Sequence, residues 1–464
     1  MLIRFSVSNF LSFKEKAELF MVASNERIHS HHIFRTASRS HPNILRSAVI
    51  YGANSAGKSN LVKAIKFARF LVVTSISPET KIPVKRFKLD AECMHKPAQF
   101  EIEFRAKNTN YLYSFAVTPS EIPWERLYTT TNSGEVLLFS RTTSEKGRVE
   151  VEWGAFIEKL SDKDRLFLEF IVQGTRPNQL FLRETIERNM DRFRPISNWF
   201  RRTLQVIEPT TAYRDLELRL GADEEFREFL ARVLKNAGTG ISNIKTQEEG
   251  IDTITDLPEE MIRHMQEQID DGSATVVRNS NGARHVITKR GDELRVVKLT
   301  TVHSGNTSVS EAIFEVHEES DGTQRLFDLV PMLYDLTVGS DTEKVYIIDE
   351  VGRSLHPHLT NMIVDMHLDA SNAQKPCQLI VTTHETHLLD LEILRRDEIW
   401  FVEKKGDGST DLYSLSDFQP RYDKDIRKDY LIGRYGGIPF IGNTQYLRLP
   451  NQKQRSGEAV LLED

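Results

Sequence analysis

The chain has 464 residues, 39% hydrophobic and 28% charged, a globular composition that excludes general disorder. With 61 Lys and Arg against 67 Asp and Glu, the net charge of −6 excludes a protein that coats nucleic acid through overall charge, and no apolar run approaches the roughly 18 residues of a membrane helix. Two cysteines, Cys93 and Cys377, exclude a disulfide framework and a four-cysteine zinc site, and they fit a reducing, cytoplasmic setting.

Residues 2–7 alternate apolar and polar and predict a strand, with a second over 17–23 after the turn Ser8–Phe13. The polar, His-rich stretch 29–42 reads as a loop. Ser47–Tyr51 is a short buried strand before a Gly-rich turn, and Asn60–Val73 follows as a helix with Leu61, Ile65, Ala68, Leu71 and Val72 on one face. Residues 100–117 read as a hairpin about Asn108–Asn110. From about 150 to 290 the chain turns charge-rich, and segments such as 162–172, 183–202 and 224–235 predict helices, broken by turn signals at 237–240 and 270–272. Apolar strands at 344–348, 379–383 and 398–402 alternate with helices beyond that point, which predicts a largely parallel sheet. The division is therefore 1–150, 151–295 as a mostly helical insertion or lid, and 296–464, with a polar end from about Asn451.

Four segments carry chemistry. Gly52-Ala53-Asn54-Ser55-Ala56-Gly57-Lys58-Ser59 fits G-x-x-x-x-G-K-S between a strand and a helix. Small residues let backbone N–H groups wrap phosphates at a helix N-terminus, so residues 52–60, through Asn60, are the candidate nucleotide loop. Lys58 is placed to reach the β- and γ-phosphates, and Ser59 to ligate Mg²⁺. Val345–Ile348 is an apolar strand that releases Asp349 and Glu350 at its carboxyl end, where ligands bind in open α/β sheets. Asp349 is the second metal candidate and Glu350 the candidate that polarises an attacking water. Ser320 can cap a helix carrying Leu326, Leu329, Val330 and Leu333, an anion-accepting N-terminus. The strand Leu379–Thr383 ends in His384, which can hydrogen-bond a γ-phosphate or a water.

In this order the segments resemble ABC-type ATPase heads, the group containing the SMC and RecF proteins. Ser320-Asp321-Gly322-Thr323-Gln324 is similar to the ABC signature, with Thr323 where glycine is usual. Asp349-Glu350 resembles Walker B with its catalytic glutamate, Ser354-Leu355-His356-Pro357 the D-loop, His384 the switch histidine, and Asn9–Phe13 the opening of such heads. More closely, the chain resembles ATPases related to the OLD proteins, including RloA-like and PtuA-like defence ATPases, through Tyr51–Asn54, Glu319–Thr323 and Arg434–Phe440. That likeness covers roughly 1–120 and 300–445.

The resemblance implies an α/β, ABC-type P-loop head with a mostly parallel core sheet, an antiparallel β lobe and a helical insertion. It implies ATP and Mg²⁺ as cofactors, Glu350, His384 and Lys58 in hydrolysis, and Ser320, Gly322, Thr323 and Gln324 acting in trans on a partner's nucleotide. Self-association follows, as a head-to-tail dimer or a higher even oligomer. OLD nucleases carry a C-terminal TOPRIM domain, and the roughly 80 residues after His384 leave no room for one. The expectation is an ATPase that controls a separate effector, a nuclease or toxin, in anti-phage defence. The alternative is a RecF/SMC-like repair ATPase that binds nucleic acid directly; neither reading involves a membrane.

Weaker constellations take plainer readings. His29, His31 and His32 lack cysteine neighbours or helical metal spacing and read as a solvated loop. Arg183, Arg188, Arg192, Arg194, Arg201 and Arg202, interleaved with Phe193, Trp199 and Phe200, suggest either nucleic-acid phosphates or a solvated or intersubunit face. Lys81, Lys85, Arg86 and Lys88 read the same way, and Glu403, Asp407 and Asp411 as a hairpin.

Overall fold

The central sheet runs Leu204–Ile207, Lys344–Ile348, Cys377–Thr382, Ser47–Gly52, Ile399–Lys404, Thr410–Ser414 across its width. Every neighbouring pair is parallel except the last, a hairpin. Ser47–Gly52 and Cys377–Thr382 are buried along their whole length, which is why they read as unbroken apolar runs. Successive residues point to opposite faces. Ala48, Ile50, Val345 and Ile347 join one hydrophobic core, while Val49, Tyr51, Tyr346 and Ile348 join the other.

The first core also takes the helix Lys58–Val73 and a seven-stranded antiparallel lobe. The lobe runs Val149–Trp153, Gly134–Thr143, Trp124–Thr131, Thr109–Val117, Ala98–Ala106, Leu2–Ser8, Ala17–Phe20. The second core takes the helices Glu224–Asn236, Asp321–Thr337 and Pro357–Leu368. This computed structural model describes residues 1–36, 41–131, 134–211, 213, 216, 219–220, 223–254, 257–269, 274–278, 284–291, 293–304, 311–339 and 342–439. The expected turn at 270–272, residue Phe440 and the polar end lie outside the described residues.

The fold has the expected α/β plan, a mostly parallel sheet with an antiparallel lobe. The stretch 151–295 departs from the mostly helical expectation in two ways. Helices do form at Asp162–Gly174, Phe181–Glu187, Arg194–Asn198, Glu224–Asn236 and Glu259–Gln268. However, Leu204–Ile207 is the edge strand of the central sheet. A second antiparallel sheet also forms, in which Glu293–Ser304 pairs with Ile241–Gly250, Arg284–Arg290 and Glu311–Glu315, and Ala274–Arg278 extends it. Cross-strand ion pairs brace the sheet, Lys298–Glu249 at 2.7 Å on one face and Arg290–Glu248 at 2.8 Å on the other. Charges at that density mimic a solvated helix in sequence. The predicted helix over 183–202 is broken as well, because Asn189 sits at φ 55° and Pro195 restarts the chain.

Candidate functional site

The phosphate loop turns between the buried strand Ser47–Gly52 and the helix Lys58–Val73. Two residues carry its curvature, Ser55 at φ 65° and Gly57 at φ 125°. Gly57 is required for two reasons. An L-residue is strained at that φ, and a Cβ there would lie 2.4 Å from Thr410 Oγ1. That Thr410 hydroxyl donates to the Ala56 carbonyl at 2.8 Å and is 2.7 Å from Ser12 Oγ, which also accepts from Asn60 Nδ2 at 2.8 Å. The loop is therefore braced by residues from both ends of the chain.

Lys58 is 6% exposed, and its ammonium donates to the carbonyls of Gly52 at 2.6 Å and Ala53 at 3.1 Å. Burial pushes its pKa down, and the carboxylates of Glu350 and Asp349 push it back up. The ammonium thus sits in a small cradle of backbone carbonyls, within the field of the acidic pair. Ser59 is half-buried on the first turn of the same helix.

Asp349 is 4% exposed at the end of the strand Lys344–Ile348. Cys377–Thr382 lies between that strand and the phosphate-loop strand, and its last residue organises both acids. Thr382 Oγ1 donates to Asp349 Oδ1 at 2.7 Å and accepts from the Glu350 amide at 2.9 Å. Glu350 sits at φ 52°, a left-handed conformation that a non-glycine residue holds only under constraint. His384, two residues past Thr382, is exposed.

The predicted capped helix is present as Asp321–Thr337. Ser320 Oγ accepts from the Thr323 amide at 3.3 Å, and Leu326, Leu329, Val330 and Leu333 are buried. Gly322 packs against the loop after the acidic pair, where a Cβ would lie 2.7 Å from Ser354 O. Gln324 is occupied locally, donating to the Glu319 carbonyl at 2.7 Å. The helix thus contacts the stretch that follows Asp349-Glu350, while Ser320 itself stays exposed.

These observations fit a nucleoside triphosphate with a divalent cation. The loop offers a constrained backbone cradle and a cation, and Ser59 and Asp349 offer the hard oxygen donors that Mg²⁺ prefers. Four residues around the site carry no sign of that role in the sequence. Thr382 reads only as part of a strand. Ser12 and Thr410 are 398 residues apart and carry no local pattern. Arg325, 5% exposed, has Nε and Nη2 without a hydrogen-bond partner, and burial pushes its pKa down while Asp328, Asp349 and Glu350 push it part of the way back.

The structure corrects two weaker readings. Phe193, Trp199 and Phe200 are 0–1% exposed and pack in the lobe core, with Trp199 stacked 4.2 Å from Phe104. They cannot act as a stacking platform for bases. Arg183 and Arg188 pair with Glu187 and Glu184 at 2.7 Å, Arg194 pairs with Asp191, and Arg192 lies over Phe156. The triad His29, His31 and His32 is not a solvated loop, since His32 is 2% exposed. The hairpin over 403–411 forms as expected.

No helix among the described residues is long and apolar enough to cross a membrane. No curated protein matches the chain. Among solved structures, an SmcHead bound to the C-winged helix domain of ScpA is 13% identical with a TM-score of 0.35, covering 89% of this chain and 97% of that one. The SMC head domain from Thermotoga maritima is 12% identical with a TM-score of 0.36, covering 89% and 98%. The family model described as "AAA domain, putative AbiEii toxin, Type IV TA system" matches residues 47–390. That match begins on the phosphate-loop strand, takes in Asp349-Glu350 and His384, and spans well over half of the 464 residues, so the chain belongs to this AAA-domain family of P-loop ATPases.

Proposed function

We propose that the protein hydrolyses ATP as an ABC-type head and uses the ATP-bound state to control a separate effector chain. The observation that carries this reading is the Thr382 bridge. One hydroxyl fixes Asp349 and the Glu350 backbone on the strand beside the phosphate loop. Lys58 leaves the Gly52 and Ala53 carbonyls to grip the phosphates, and backbone N–H groups of residues 53–58 complete the cradle. Ser59 and Asp349 would hold Mg²⁺, which when bound would supply charge neutralisation on the phosphate oxygens. Glu350 orients the attacking water and takes its proton, and His384 hydrogen-bonds the terminal phosphate.

Ser320, Gly322, Thr323 and Gln324 complete the site of a second copy. Exposure of Ser320 at a helix N-terminus, away from hydrogen bonds to the chain's own phosphate loop, supports a contact in trans. Two chains then close head to tail on two ATP molecules and open after hydrolysis. The family's description, which names a putative toxin and a type IV toxin–antitoxin system, supports a defence or toxin–antitoxin context for this role, and the effector is a separate nuclease or toxin chain in the cytoplasm on this reading. Burial of the aromatic residues among the arginines weighs against a direct nucleic-acid platform.

Steady-state ATP hydrolysis and light-scattering mass of the purified chain, with and without ATP and Mg²⁺, test the reading. Turnover with ATP-dependent doubling of mass is expected, and a chain that stays monomeric with saturating ATP removes the head-to-tail element. Native mass spectrometry of the complex expressed from its own operon identifies the effector.

A further inference from the structure

His31 and His32 stand on a short turn, Ser30–His32, and His29 directly precedes it, in the loop that follows the first hairpin. The turn packs against the segment Leu391–Glu398, from the far end of the sequence. One ring nitrogen of each histidine lies within 4.8 Å of the other two. The rings of His29 and His32 stack at 4.8 Å, and that of His31 stands nearly perpendicular to His32 at 4.4 Å.

Hydrogen bonds from outside the cluster orient two of the rings. His29 Nε2 lies 2.9 Å from the Leu391 carbonyl, which can only accept. Nε2 therefore carries the hydrogen and Nδ1 keeps its lone pair. His32 Nδ1 lies 2.9 Å from Oε2 of the fully buried Glu398, and the same oxygen already accepts the Arg395 amide at 2.8 Å. Oε2 accepts from Nδ1 too, so the lone pair of His32 is on Nε2. A carboxyl or carbonyl group behind an imidazole, as behind His29 and His32, is the arrangement that fixes tautomer and orientation in histidine metal sites.

The surrounding charges are mixed. The Arg46 guanidinium is occupied by the His31 and His367 carbonyls, and that of Arg395 by the Asp397 carboxylate and the carbonyls of Glu26 and Ile28. Asp397 faces His32, and Asp369 faces His31 and Arg46, in the same region. Three imidazoles suit a borderline cation far better than Mg²⁺, which demands oxygen ligands.

We propose that His29, His31 and His32 bind a divalent transition cation of the zinc class, which pins the N-terminal loop to the segment Leu391–Glu398. The site is separate from the nucleotide-loop cation donors Ser59 and Asp349, and its role is to hold together two stretches that already meet through Ser24, Asp397 and Arg395. A tetrahedral ion on three nitrogens keeps one position for water.

The test uses the full chain, stripped with chelator and kept free of Mg²⁺ and nucleotide. Titration with Co²⁺, whose visible absorption reports nitrogen ligands, is expected to show one equivalent bound and its displacement by Zn²⁺. His31→Ala, at a half-exposed ring, is expected to weaken binding at least about 10-fold, and Glu398→Gln by about 10- to 100-fold. His95→Ala, at an exposed ring elsewhere, leaves the titration unchanged. Asp349→Asn also keeps the signal, which separates this site from the nucleotide loop. Failure of the parent chain to bind Co²⁺, equal binding by His31→Ala, or loss of the signal in Asp349→Asn overturns the proposal. Because His31 is not in the core, a folded His31→Ala chain keeps the test decisive even if Glu398→Gln fails to fold.

Discussion

Thr382 shares its hydroxyl between two consecutive acidic residues, and the bond to Asp349 Oδ1 at 2.7 Å is the shorter of the two. The donor strand separates the phosphate-loop strand from the acidic strand, so the hydroxyl aligns the chemistry of both neighbours. Thr382→Val keeps the shape and removes that bridge, leaving a buried carboxylate oxygen and an amide unsatisfied. The expected cost is about 1–3 kcal/mol of stability, with a fall in kcat larger than the change in nucleotide affinity. A thermal melt and steady-state kinetics check this; an unchanged kcat would mean that Thr382 serves the fold alone.

Glu350 is strained at φ 52° and held by the same hydroxyl. Glu350→Gln retains the hydrogen-bonding shape and removes the base. Turnover should fall by about 10²- to 10⁴-fold, while ATP-dependent dimers persist and accumulate. Phosphate release and size-exclusion mass with ATP read the two effects separately, and normal hydrolysis would take Glu350 out of its role.

Ser320 caps the helix Asp321–Thr337 from an exposed position. Ser320→Arg places bulk and charge where a partner's phosphates would sit. Lower turnover with near-parent nucleotide affinity in the isolated monomer is expected, measured by fluorescent-nucleotide titration beside hydrolysis. Loss of binding in the monomer would argue for a contact in cis.

Stability should depend on His367. This ring is fully buried, with Nε2 against the Arg46 carbonyl at 2.9 Å, and burial drives its pKa from an ordinary 6.5 down to about 3. Protonation therefore favours the unfolded chain. The contribution of the neutral ring is complete above about pH 6.5 and is lost as pH falls toward 3, at a slope of about 1.4 kcal/mol per pH unit. Urea unfolding between pH 8 and pH 5 should show this loss, and His367→Asn, though less stable at pH 8, should show a shallower slope. Equal slopes would assign the acid sensitivity to other groups.

The candidate site was legible wherever its parts are contiguous. Residues 52–60 set a backbone turn and a helix start by local chemistry, and Val345–Glu350 announces a buried strand with acids at its end. The cap at Ser320 was visible for the same reason, a side chain bonding three residues ahead. The sheet over 241–315 was hidden because few of its residues are buried on the strand Ile241–Gly250, where Ile241 and Ile244 carry the core face and charges fill the rest.

Sequence alone determined a P-loop protein of α/β plan, with its phosphate loop, acidic pair and capped helix, because each rests on short-range geometry. Tertiary structure decided what surrounds them: Thr382 between Asp349 and Glu350, Thr410 and Ser12 against the loop, and His32 on Glu398. Those partners meet because parallel strands from distant stretches pack side by side and bury their apolar faces. Spacing along the chain carries no trace of which polar groups such packing will bring within hydrogen-bond reach.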